Sequence, residues 1–117
     1  MKHLLLILAL LVSTVAFASG PPGQNHGINL TWTEGTGGCS FNVYKGTAPG
    51  GENYSAPYAS VGIGVLAFLD QTGTAGTKYY YTVTAVLSGI ESSPSAEASA
   101  TFPNVPSAPT AVTATPQ

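Results

Sequence analysis

The sequence predicts an all-β sandwich, on three observations. Apolar residues recur at every second position in Ile28, Leu30, Trp32, again in Phe41, Val43, and again in Tyr79, Tyr81, Val83, Ala85, which is the spacing of strands with one buried face. Turn-forming Gly, Pro, Asn and Ser cluster between these runs at near-regular intervals. No stretch carries the repeat of an amphipathic helix. Short, evenly spaced strands without helices pack as two sheets around one core.

Met1, Lys2 and His3 make a short basic start, residues 4–12 form an unbroken apolar run, and Ala16-Phe17-Ala18 puts small residues where a signal peptidase cuts. Residues 1–18 therefore read as a secretory signal peptide that is removed. The run is too short to cross a hydrocarbon core, which takes about 20 residues of helix. No later segment is apolar for longer, so no stable membrane anchor is expected after cleavage, and the location is secreted or periplasmic. Residues 19–27, rich in Pro and Gly and without alternation, read as a flexible leader. Strands are expected over 28–33, 39–45, 58–61, 65–69, 77–86 and 96–102, making 28–102 the sandwich and 103–117 a tail.

The part left after cleavage keeps Glu34, Glu52, Asp70, Glu91 and Glu97 against Lys45 and Lys78, with no arginine. Clustered Lys and Arg are what phosphate binding needs, so nucleic acid is not an expected partner. Cys39 is the single cysteine, so no internal disulfide forms. Sharing parity with Phe41 and Val43, it reads as a small buried hydrophobe. His26, the one histidine outside the signal, sits in the leader, which leaves no ordered base for a nucleophile and no ligand set for a metal. No catalytic residue, metal or cofactor is expected.

Leu30-Thr31-Trp32, Phe41-Asn42-Val43-Tyr44-Lys45-Gly46-Thr47, Ala75-Gly76-Thr77-Lys78-Tyr79-Tyr80-Tyr81 and Val83-Thr84-Ala85-Val86 resemble fibronectin type III modules of bacterial exported proteins, over about residues 26–102. The resemblance implies an immunoglobulin-like sandwich with Trp32 in the core. It also makes Tyr79 the tyrosine-corner residue, its hydroxyl bonding back to the chain upstream. Gly73 stands where that family usually has an apolar residue, which implies a looser corner. The family's opening strand, strand A, is missing before Ile28, and similar text appears instead at 106–115. The fold is thus expected to lack its own N-terminal strand A and to carry a strand-like tail.

Trp32 and Tyr81 have inward parity and read as core. Tyr44 and Tyr80 have outward parity on strands that the resembled fold makes antiparallel neighbours, and Tyr58 extends the row, so these three are the candidate ligand surface. A plain cross-strand pair is the competing explanation. Ala108, Thr110, Val112 and Ala114 are the candidate assembly strand. Three functions follow as expectations: a secreted non-catalytic interaction or spacer module, a carbohydrate-binding module using the Tyr face, or a self-assembling subunit that donates its tail. The corresponding partners are a protein or polysaccharide at or outside the cell envelope, or a second copy joined head to tail.

Overall fold

A computed structural model of the chain describes residues 13–17, 26–104 and 106–117. Residues 1–12 and 18–25, which hold most of the predicted signal and leader, lie outside the described residues. Eight strands run in chain order: β1 Ser13–Phe17, β2 Gly27–Thr31, β3 Ser40–Gly46, β4 Ala59–Val61, β5 Ala67–Asp70, β6 Lys78–Leu87, β7 Ile90–Glu91 and β8 Ala98–Thr101. They form two sheets, β1-β2-β5 and β4-β3-β6-β7, with β8 also paired to β6, and each of these pairings is antiparallel.

Alternation decides what lies between the sheets. Leu30, Phe41, Val43, Tyr81 and Val83 are fully buried and Trp32 nearly so, its ring 5.5 Å from that of Phe41. Each such side chain contributes on the order of 1.5–3 kcal/mol by leaving water. Cys39 is buried with them, and its thiol is pushed up in pKa by that burial and by Glu34. That is the environment of an inert core thiol.

The position beside β2, expected to be empty, is filled. Ser13–Phe17 pairs along all of Gly27–Thr31, with Ser13 opposite Thr31 and Phe17 opposite Gly27. Reading residues 1–18 as a removable signal hid the strand propensity of Ser13-Thr14-Val15, and an open strand edge recruits whatever extended segment adjoins it. Nor is the leader loose up to its end. Gly27 opens β2, and His26 Nε2 donates to the Pro103 carbonyl at 2.6 Å while its ring meets Phe102 edge-on at 4.9 Å.

The corner before β6 follows the family expectation at Tyr79, whose hydroxyl accepts the Thr74 N–H at 2.9 Å. It departs from the expectation at Gly73, because the corner is filled. A Cβ on Gly73 would lie 2.4 Å from the Phe102 ring, so the aromatic side chain from the end of β8 takes the space the missing one leaves. Gly73→Ala is expected to cost about 1–3 kcal/mol through overpacking, read as a lower urea midpoint.

Two further details were not visible as alternation. Ser88 and Gly89 take positive φ (51° and 77°) in a tight hairpin that folds β7 back onto β6. Beyond it the chain leaves regular pairing, and serine hydroxyls stand in for carbonyls: Ala85 N–H donates to Ser92 Oγ at 2.9 Å and Val83 N–H to Ser95 Oγ at 3.0 Å. The β6 edge thereby stays satisfied up to β8.

Candidate functional site

Inward parity on β3 passes from Phe41 and Val43 to Lys45, which places an ammonium group at the sandwich edge with its side chain 11% exposed. It meets Asp70, fully buried at the end of β5, with Nζ 2.7 Å from Oδ2. Tyr81 donates to Oδ2 at 2.5 Å, while Tyr58 and the Thr72 N–H donate to Oδ1 at 2.7 and 3.0 Å. The ammonium also lies over the rings of Tyr79 and Tyr58, 4.2 and 4.6 Å from their centroids. Burial alone would raise the Asp70 carboxyl, but Lys45, then the Tyr81 and Tyr58 hydroxyls and the Thr72 N–H, outweigh it and hold the carboxyl below its ordinary value. Tyr81 is pushed strongly upward, by burial first and then by Asp70. This cluster fastens one sheet to the other.

The outer face of the larger sheet holds a second cluster. Asn42 and Tyr44 on β3, Thr84 on β6 and Glu91 on β7 meet because the Ser88-Gly89 hairpin brings Glu91 across β6. Tyr44, Thr84 and Asn42 all donate to Glu91 Oε2, Thr84 at 2.6 Å and Asn42 at 3.2 Å, and Ser60 donates to Asn42 Oδ1 at 2.7 Å. Hydrogen bonds from Thr84, then Tyr44, hold the Glu91 carboxyl low, while burial and then Glu91 push the Tyr44 phenol up. The β3–β4 loop folds back over this face. Tyr54 packs against Tyr44 with the rings tilted at 48° and 4.8 Å between centroids, and shares a 2.8 Å hydroxyl bond with Thr82.

The same loop buries Glu52 to 7% exposure, one of its oxygens having no hydrogen-bond partner among the described residues. Its carboxyl is pushed up to about 6, by burial and by the Glu97 carboxyl it bonds, and that bond and the Gly50 N–H at 2.7 Å lower Glu97. Below about pH 6 Glu52 keeps its proton and can donate it to Glu97. A folded pKa above the ordinary 4.5 makes this contribution to stability complete below that value and lost as pH climbs through about 6. Glu52→Gln, which keeps the donor without the titration, is expected to flatten the stability profile across that window, as read by urea midpoints at successive pH values.

The three tyrosines predicted as a row do not form one. Tyr44 is 4% exposed and lies under Tyr54, Tyr58 turns to Asp70 with its ring edge-on to Phe68, and Tyr80 lies half-buried beneath Lys78. Outward parity places a side chain on the outer face but does not say what loop covers it. The tail residues Ala108, Thr110, Val112 and Ala114 are exposed and outside regular secondary structure. The residues not anticipated are Lys45 with Asp70, and Tyr54 with Glu91. A charge at inward parity on β3 was the available signal for the first pair. Among the described residues no group of three His, Cys, Asp or Glu side chains is placed to hold a metal, and no helix is long and apolar enough to cross a membrane.

No protein-family model matches this sequence, and no curated protein sequence matches it. Solved structures do. An Fn3-like protein from Clostridium thermocellum is 32% identical, with a TM-score of 0.57 over 82% of this chain and 92% of that one. A β-1,2-glucanase from Parabacteroides distasonis matches at TM-score 0.67 and 23% identity, over 86% of this chain but 13% of its own. A pectate lyase from Pectobacterium carotovorum matches at 0.59 and 20%, over 92% of this chain and 29% of its own. The chain thus spans a small part of either enzyme, and those two likenesses concern the fold.

Proposed function

The chain belongs to the Fn3-like β-sandwich family, and on that premise we propose that it works as an exported, non-catalytic interaction module. The observation that carries this reading is the distribution of exposed apolar side chains. Ile63, Val65, Leu66 and Ile90 are 73, 42, 38 and 61% exposed. Ile63, Val65 and Leu66 lie on a loop, and Ile90 opens β7 beside the hairpin, at one pole of the sandwich, where Trp32 N–H donates to the Leu66 carbonyl and Gly64 N–H to the Cys39 carbonyl. Exposed apolar side chains gathered at one end mark a contact surface. The strongly perturbed carboxylates, by contrast, are engaged in holding loops and sheets together, which suits a rigid module.

A second reading, polysaccharide binding, draws on the outer face. Glu91, fixed by Asn42, Tyr44 and Thr84, lies on the face that the 47%-exposed ring of Tyr54 covers, an acceptor and an apolar surface of the kind that sugar hydroxyls and ring faces use. The glucanase and pectate lyase carry this fold within polysaccharide-acting chains, which is the further support for it. Intact mass of the exported protein tests the first reading, which requires loss of residues 1–18. Binding on a glycan array that Tyr54→Ala abolishes would replace it with the second.

A further inference from the structure

Three features of the fold converge on β2, and from them we infer that processed chains join head to tail, the tail of one copy adding as a strand to β2 of the next. The inference rests on the export reading above, because residues 1–18 must leave.

The first feature is the origin of β1. Ser13–Phe17 lies within the segment read as removable, yet it pairs along the whole of β2, whose other side is taken by β5. Its loss strips the partners from one side of a strand about 17 Å long. Such an edge is a template for strand addition.

Direction is the second feature. Ser13 lies opposite Thr31, so an antiparallel replacement enters at the pole where β2 ends. The chain's own tail leaves from the other pole: Thr101 of β8 faces Lys78 at the start of β6, and the Pro103 carbonyl contacts His26 beside the start of β2. Entering directly from there, it would run parallel to β2, the less stable arrangement. The tail of a copy stacked on the far pole runs antiparallel.

That far pole is the one carrying Ile63, Val65, Leu66 and Ile90, and a stacked copy would cover them. The tail suits the role. Ala108, Thr110, Val112 and Ala114 share one parity, as a strand with one face on a core requires, and Pro109 stands at its start, where a proline is tolerated. Ala111 sits at φ 57° in the free tail, a left-handed conformation that alanine leaves favourably on becoming extended. The contact joins two different surfaces and therefore propagates.

The test uses protein recovered from an exporting host. Intact mass comes first: a chain retaining residues 1–18 keeps β1 on β2, which overturns the export reading and this inference together. For the processed chain, light scattering over a concentration series should show the mean mass passing about twice that of one chain. Amides of residues 110–114 should slow by about tenfold or more in hydrogen exchange at the high end. Thr113→Pro removes an N–H directed at β2 from an exposed tail residue. It should restore single chains, with a urea midpoint equal to the parent's at dilutions where the parent is itself monomeric. A processed protein that stays monomeric at every concentration overturns the inference and leaves the export reading standing, whether its tail amides exchange freely or are protected by self-pairing.

Discussion

Asp70→Ala is expected to lower stability by about 3–5 kcal/mol, the cost of removing one partner from a buried ion pair. The loss has several parts. Lys45 keeps its ammonium in a site 11% exposed, with the Thr72 carbonyl and two aromatic faces as its remaining company. Tyr81 and Tyr58 lose the acceptor for their hydroxyls, and an unpaired buried hydroxyl costs about 1–3 kcal/mol. Lys45→Met should cost less, because Asp70 retains Tyr81, Tyr58 and the Thr72 N–H and can neutralise itself by taking up a proton. The two variants also differ in pH dependence. In the parent the depressed Asp70 carboxyl contributes stability that is present above the ordinary carboxylate range and lost as pH falls through its lowered value. Lys45→Met raises that carboxyl and moves the loss to higher pH, whereas Asp70→Ala abolishes it. Urea midpoints measured from neutral to acid pH check both statements, and an Asp70→Ala midpoint equal to the parent's would show that the cluster does not fasten the sheets.

Trp32→Ala is expected to cost about 3–5 kcal/mol, the range for deleting a large buried aromatic side chain. Trp32 is 4% exposed, follows β2 directly and lies 5.5 Å from Phe41 of the opposite sheet. Its removal opens a cavity between sheets whose backbones are pinned by ladders on both sides, so little collapse can fill it. Its indole N–H is buried without a hydrogen-bond partner among the described residues. Trp32→Phe should therefore be far milder than Trp32→Ala, since it keeps much of the ring and discards an unsatisfied donor. Equal losses for the two substitutions would mean that the indole N–H, and not the ring volume, holds this position.

The core was legible because alternation is a local property. Leu30, Trp32, Phe41, Val43, Tyr81 and Val83 each declare a side of a strand without reference to any other strand, and all are buried together. The corner hydroxyl of Tyr79 was likewise readable, through a motif that operates within a few residues. The candidate ligand face was not. Parity sent Tyr44 outward correctly, but its cover comes from Tyr54 on a loop and its acceptor from Glu91 across a hairpin, neither of which alternation encodes.

By itself, then, the sequence determined which residues pair sides of strands, the sandwich they build, and a signal-like start followed by a strand-like tail. Tertiary structure alone decided that Lys45 meets Asp70, that Phe102 occupies the space Gly73 leaves, and that Ser13–Phe17 lies along β2. The physical reason is range. Backbone periodicity fixes a side chain's direction within its own strand, whereas ion pairing, cavity filling and edge pairing depend on how far apart two sheets settle and which segment reaches an open edge first.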